Sequence, residues 1–197
     1  NGVNFNQVNT GAFTGANDPV SKIVYSPQTP NTNWWVATEQ GQLFFTNDAN
    51  ATAWTELAAA ASATVHDSDP AVTVQSAGNY ITGGAVNRRN DAIIAISVTL
   101  RTSVGGAQGF VFLSGDRGVT WCEISGRCDP CSSGGSDQLN PSAATALVFD
   151  PGSSTNVANT QTLYCGTMAG VYVIRNAIAP SGSITNFNPE WHTFNGG

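Results

Sequence analysis

The chain has 197 residues, with 13 acidic residues against 7 Lys and Arg and a formal net charge of -6. This length is enough to bury a sizeable core in one or two domains. The acidic composition, with Lys22 as the single lysine, argues against a nucleic-acid partner, because such binding depends on Lys and Arg meeting phosphates. No apolar run reaches the roughly 18–20 residues that span a bilayer, which argues against membrane insertion.

Short apolar segments separated by turn residues predict strands from the start of the chain onward. After an alternating segment at residues 3–8, four segments close together predict one antiparallel meander, at residues 20–25, 34–38, 42–46 and 53–57. Small and polar residues then dominate, apart from a short segment at 72–74. We interpret residues 58–79 as an inserted loop.

Two further sets of strands follow. The second is predicted at residues 80–86, 92–98, 110–113 and 121–124, and the third at 144–149, 162–167, 170–174 and 190–194. We expect Gly83-Gly84 to break the first strand of the second set, and the β-branched run 92–98 to be buried on both faces. The predicted units are therefore 18–57, 80–125 and 143–195, with loops at 58–79 and 126–142.

One turn has a distinctive pattern, which runs Ser114-Gly115-Asp116-Arg117-Gly118-Val119-Thr120-Trp121. Gly118 can take a positive φ without steric cost, and the Asp116 carboxylate can fold back onto the backbone N–H groups of the turn. Ser114 and Thr120 flank the turn, and Trp121 begins the next strand as a large apolar anchor. A weaker version contains Asp48 and Trp54, with Asn50 in place of the glycine and one extra residue before the tryptophan.

This pattern resembles the Asp-box of sialidase-like (BNR repeat) β-propellers. Trp54, Trp121 and Trp191 recur at a period of about 70 residues, as expected of a repeat fold whose units each hold four strands. The resemblance implies an all-β protein with about three four-stranded propeller blades. It also implies that the box residues Ser114, Asp116, Gly118, Thr120, Trp121, Asp48 and Trp54 are structural.

Three blades do not close a ring, because propellers close with about 4–8 blades. We therefore expect the chain to assemble with further blades, supplied by a longer chain, by copies or by partner chains. The sequence begins at Asn1 without Met, which is expected of a processed form or of a piece of something longer.

The four cysteines are Cys122, Cys128, Cys131 and Cys165. In a polar, lysine-poor chain we predict two disulfides, and hence a secreted, cell-surface or periplasmic location. Three pairings are possible, and we favour Cys122–Cys128 with Cys131–Cys165. A zinc site made by the same residues and a redox role for Cys128–Cys131 are the alternatives.

The resemblance also suggests candidate catalytic residues. Sialidases bind a carboxylate through arginines, which points to Arg88 and Arg89, whereas xyloglucanase-type propeller hydrolases use two acidic residues, for which Asp67, Asp69 and Asp91 are candidates. Asp67 and Asp69 are also a possible calcium site, because oxygen ligands two residues apart are common in such sites. We expect no other cofactor.

Trp34 and Trp35 are adjacent on a predicted strand, so one indole should be buried and the other exposed to stack on a sugar. The sequence brings together no complete acid–base set, since the sialidase residues do not transfer one by one. We therefore predict an extracytoplasmic module that binds a glycan or a partner protein. The alternative is part of a glycoside hydrolase.

Overall fold

The computed structural model describes residues 19–39, 41–51, 53–57, 79–102, 106–126, 138–140, 142–156, 160–178 and 189–194. In these residues the chain forms twelve β-strands: β1 (Val20–Tyr25), β2 (Trp34–Thr38), β3 (Leu43–Thr46), β4 (Thr55–Glu56), β5 (Asn79–Asn87), β6 (Asn90–Thr102), β7 (Gly106–Ser114), β8 (Cys122–Glu123), β9 (Ala144–Phe149), β10 (Thr160–Thr167), β11 (Gly170–Ile178) and β12 (Trp191–Thr193). The predicted strands at residues 3–8 and 72–74 lie outside the described residues. A search of the described residues for a helix able to cross a membrane finds none.

The strands form three antiparallel sheets of four strands, each in chain order. We name them sheet A (β1–β4), sheet B (β5–β8) and sheet C (β9–β12). Each sheet is a meander, because every strand pairs with the antiparallel strand next to it in the chain. The predicted all-β class with three four-stranded propeller blades is confirmed.

Sheet B lies between the other two sheets, and its central strand β6 is buried on both faces, as predicted. Ile94 and Ile96 belong to a hydrophobic cluster with side chains of sheet A. Ile93 and Ala95, which point the opposite way, belong to a second cluster with side chains of sheet C. Alternate residues of one strand therefore hold two neighbouring sheets.

The predicted break at Gly83-Gly84 is wrong, because β5 continues through both glycines with a register shift between Ile81 and Gly83. A Cβ atom on Gly84 would lie 2.4 Å from Cγ2 of Val24 on β1. The missing side chain therefore allows the first strands of sheets A and B to approach closely. The first strand of sheet C, β9, also contacts β5.

The predicted pairing of Cys131 with Cys165 is wrong. Cys165 is a free cysteine whose side chain lies in the hydrophobic cluster between sheets B and C. Cys122 is disulfide-bonded, and both Cys128 and Cys131 lie outside the described residues. Cys165 lies on β10, an interior strand of sheet C, where its side chain packs among apolar side chains.

We expect the Cys165 thiol to resist alkylation in the native protein. Burial raises its pKa from 9.0 to about 12, so the reactive thiolate is scarce at pH 8. After denaturation the pKa returns toward its ordinary value and labelling should become rapid. Iodoacetamide labelling at pH 8, located by mass spectrometry with and without denaturant, measures this, and rapid labelling of native Cys165 would contradict it.

Candidate functional site

The turn between β7 and β8 is closed by its own polar side chains. The Ser114 hydroxyl accepts from the Gly118 N–H at 2.8 Å and donates to Asp116 Oδ1 at 2.8 Å. The Thr120 N–H and hydroxyl donate to the two Asp116 oxygens at 2.8 and 2.6 Å. Gly118 has a φ of 95°, and its carbonyl accepts from Trp121 Nε1 at 2.9 Å. Both oxygens of the Asp116 carboxylate are thus engaged within the turn.

The degenerate turn before β4 is similar but places its left-handed residue differently. The Asp48 N–H donates to Thr46 Oγ1 at 3.0 Å, and Asp48 Oδ1 accepts from the Asn50 N–H at 2.9 Å. The positive φ lies at Ala51, at 51°, and not at Asn50 as the sequence had suggested. Trp54 Nε1 donates to the Ala51 carbonyl at 3.0 Å, so Ala51 takes the place of Gly118.

The third tryptophan makes its hydrogen bond to a different sheet. Trp191 is buried, and its Nε1 donates to the Ile124 carbonyl of sheet B at 2.6 Å. It therefore connects sheets B and C directly, whereas Trp54 and Trp121 hold their own turns.

Asp91, a candidate catalytic residue, lies buried where sheets A and B meet. Its Oδ1 accepts from Arg117 at 3.0 Å in an ion pair. Its Oδ2 accepts from Asn33 Nδ2 and, at 3.3 Å, from Thr29 Oγ1. With 7% of its surface exposed, the carboxylate connects the loop after β1 to the box turn. These bonds fit a structural role at the junction.

The two candidate arginines occupy different surroundings. Arg89 donates to the carbonyls of Gly152 and Ser153 at 3.2 and 2.6 Å, which ties sheet B to sheet C. Arg88 is exposed and lines an open groove. The structure therefore does not bring Arg88, Arg89 and Asp91 together as one cluster of groups aimed at a common ligand.

The groove, which we call the axial groove, runs where the first strands of the three sheets converge, and has a volume of about 540 Å³. Its walls come from β1, β5, β9 and the residues that follow them: Lys22, Ile23, Val24, Tyr25, Pro27, Gly84, Ala85, Val86, Arg88, Leu147, Val148, Phe149 and Pro151. Most of these side chains are apolar, and Lys22 and Arg88 are the two cationic ones. Tyr25 is 59% exposed.

Trp34 and Trp35 point to opposite faces of sheet A. Trp35 is buried in the cluster between sheets A and B, where its Nε1 donates to the Arg117 carbonyl at 3.1 Å. Trp34 is half-buried and, with Ile23, Tyr25 and Pro30, lines a shallow apolar hollow. Only Trp34 is therefore placed to meet a molecule from outside.

The proposed calcium residues Asp67 and Asp69 lie outside the described residues. Within the described parts of the chain, no group of three or more His, Cys, Asp or Glu side chains is arranged to hold a metal ion. The calcium site stays a prediction from the sequence.

Comparison with known proteins adds little to this geometry. No family model matches the chain, and no curated protein matches it. Among solved structures, it is similar to a GH74 enzyme of Niastella koreensis, with a TM-score of 0.49 and 16% identity over 87% of this chain and 23% of that chain. A GH74 xyloglucanase from Xanthomonas campestris gives a TM-score of 0.38 and 15% identity, over 88% of this chain and 30% of that one.

The chain thus spans less than a third of the length of either structure, 23% of the first and 30% of the second. Both TM-scores lie below 0.5, so neither similarity supports a statement about the activity of this chain.

Sequence reasoning missed the two groove residues with the most useful chemistry. Lys22 is the only lysine in the chain, and Tyr25 is the last residue of the strand predicted at residues 20–25. The signals that could have singled them out were that lysine occurs once in the sequence and that Tyr25 lies at the end of a predicted strand. Along the groove, the Lys22 amine and the Arg88 guanidinium can donate hydrogen bonds to a ligand. The exposed ring of Tyr25 can stack on a flat apolar surface.

Proposed function

We propose that this chain is a glycan-binding module of a β-propeller, and that it holds an acidic glycan in the axial groove. The observation that carries the proposal is the convergence of three sheets on one groove that contains two cations. Its volume of about 540 Å³ lies in the usual range for sites that bind small ligands.

The chemistry of the groove favours a sugar bearing a carboxylate. Lys22 and Arg88 only donate hydrogen bonds, so they match ligand oxygens, and a carboxylate best of all. The exposed ring of Tyr25 offers a surface on which the apolar face of a sugar can stack. Because the whole chain carries a net charge of -6, these two cations make the groove a locally favourable place for an anion.

Binding without hydrolysis is what the described residues support. Glycosidases generally need two carboxyl groups on either side of the scissile bond, and the described residues that line the groove include no Asp or Glu. The hydrolase alternative stays a prediction, in which the catalytic carboxylates would come from Asp67 and Asp69, outside the described residues, or from further blades.

An extracytoplasmic location is part of the proposal. Its support is the disulfide bond of Cys122, since disulfides persist mainly in oxidising compartments such as the periplasm and the cell exterior.

Isothermal titration with two oligosaccharides of equal length, one neutral and one containing uronic acid, tests the proposed site. We expect the acidic ligand to bind more tightly, and Arg88→Ala and Lys22→Ala each to weaken it about tenfold, equivalent to about 1.4 kcal/mol. The affinity should also fall as salt is added, because the groove is open to solvent.

Arg175→Ala is the matched control, because Arg175 is exposed on β11 and is not part of the groove. Equal losses in the Arg175 and Arg88 variants, or no loss in either groove variant, would reject the site. Release of new reducing ends during the titration would support the hydrolase alternative. Failure of every glycan to bind would leave a protein partner as the ligand.

A further inference from the structure

The three sheets repeat the same packing positions, so each face of one sheet can be compared with the equivalent faces of the other two. We call the face of a sheet directed toward the next sheet in the chain its trailing face, and the opposite one its leading face. Strand register assigns equivalent positions, since the same row across each sheet joins Val24 to Trp35, Ala85 to Ala95, and Val148 to Tyr164.

Five trailing positions are filled by apolar side chains in every sheet. In sheet A they are Val24, Trp35, Leu43, Phe45 and Leu57, and all five pack in the cluster shared with sheet B. In sheet B they are Ala85, Ala95, Val111, Leu113 and Ile124, and all five pack in the cluster shared with sheet C. In sheet C the equivalent residues are Val148, Tyr164, Val171, Val173 and Phe194.

The last strands confirm this equivalence by hydrogen bonding. Leu57, Ile124 and Phe194 each donate a backbone N–H to the third strand of their sheet, at the carbonyls of Leu43, Val111 and Val171 respectively. Leu57 and Ile124 are buried, whereas Phe194 is 47% exposed. The difference follows from the absence of a fourth described sheet against sheet C.

Most of the trailing face of sheet C is therefore uncovered. Val148 is 60% exposed and Val171 is 45% exposed, while Val173 is buried. Tyr164 is half-buried and stacks edge-on against Phe194, with ring centroids 5.3 Å apart. Apolar residues exposed together in this way mark an interaction surface.

The leading face of sheet A is the counterpart. The leading positions of sheet B pack against sheet A, and the leading positions of sheet C pack against sheet B. These positions are Val86, Ile94, Ile96, Phe112 and Trp121 in sheet B, and Phe149, Leu163, Cys165, Tyr172 and Trp191 in sheet C. The equivalents in sheet A are Tyr25, Trp34, Val36, Phe44 and Trp54. Val36 and Phe44 are buried, but Tyr25 is exposed and both tryptophans are half-buried.

We propose that a second copy of this chain covers these faces, with its leading face against the trailing face of the first. Each face carries apolar side chains at the positions that form the two interfaces inside the chain, so the new contact continues an established interface. Three described sheets from each copy make six, within the range of about 4–8 blades that close a propeller. A head-to-tail contact of this kind closes when the rotation completes a circle.

This arrangement gives Trp34 and the ring of Tyr25 a packing role in place of sugar stacking, and it leaves Lys22 and Arg88 in the axial groove on the inner side of the ring. It does not depend on the proposed glycan. Loss of glycan binding with an intact dimer in Arg88→Ala would separate the two proposals, because Arg88 lines the groove and is not one of the face positions.

Light scattering during size-exclusion chromatography tests the dimer. We expect a particle of twice the chain mass of 20.4 kDa. Val148→Arg on the trailing face and Tyr25→Glu on the leading face should each weaken dimerisation at least tenfold. Val119→Arg is the matched control, because Val119 is a 52% exposed valine on the box turn, outside both faces.

Mixing the two face variants distinguishes a head-to-tail contact from a symmetric one. In the mixed dimer one interface opposes the introduced arginine of one copy to the introduced glutamate of the other, and the second interface keeps the native valine and tyrosine. Mixing should therefore restore the dimer, which also shows that both variants fold. A monomer at every concentration, a dimer that Val148→Arg leaves intact, or failure of the mixture to dimerise would overturn the proposal.

Discussion

Trp121→Ala should lower the free energy of unfolding by about 3–5 kcal/mol, the usual cost of truncating a large buried aromatic side chain. Trp121 has 0% of its surface exposed and lies in the cluster between sheets A and B. Its indole N–H also bonds the Gly118 carbonyl at 2.9 Å. Truncation therefore leaves a cavity between two sheets and frees one end of the turn.

Urea unfolding followed by circular dichroism measures this loss. Trp121→Phe is the matched control, since it keeps an aromatic ring in the core but loses the indole N–H. We expect it to cost less than half as much as the alanine variant. A loss below about 1 kcal/mol in Trp121→Ala, within the range typical of surface substitutions and weak contacts, would show that the tryptophan does not hold the two sheets.

Gly118→Ala should destabilise the protein by about 2–4 kcal/mol, because two separate costs act at the same residue. The backbone φ of 95° is one that residues with a Cβ rarely adopt. The added Cβ would lie 2.9 Å from both Leu57 Cδ1 and Trp121 Cζ2. Leu57 belongs to sheet A, so the crowding extends across the interface between sheets.

Gly170→Ala separates the two costs. Gly170 also has a positive φ, of 137°, but no atom lies within 4 Å of the position where its Cβ would be built. It should therefore show the backbone cost without the crowding, and we expect a smaller loss of unfolding free energy. Equal losses in the two variants would mean that crowding against Leu57 and Trp121 contributes nothing.

The strand pattern was largely readable because side chains alternate along a strand with a period of two. That local rule predicted the meanders, and the Ser114–Trp121 turn with its recurring tryptophan predicted repeated four-stranded units. The errors occurred where distant residues decide the outcome. Gly83 and Gly84 look like a strand break in the sequence, yet Gly84 lies within a continuous strand because β1 packs against it.

The candidate site was less predictable for the same reason. Arg88, Arg89 and Asp91 are close in sequence, but they face a groove, a neighbouring sheet and a buried junction, respectively. The sequence around a residue does not indicate which neighbouring sheet its side chain will contact. Lys22 and Tyr25 line one groove with Arg88 only because the first strands of three sheets come together.

The amino-acid sequence by itself determined the all-β class, the three units and the turn chemistry, because these depend on residues close together in the chain. Only the tertiary structure decided that Cys165 is a buried free thiol, that Asp91 joins two sheets, and that the outer faces of sheets A and C expose apolar side chains. These properties depend on which sheet packs against which, and packing between sheets joins residues that are far apart in sequence.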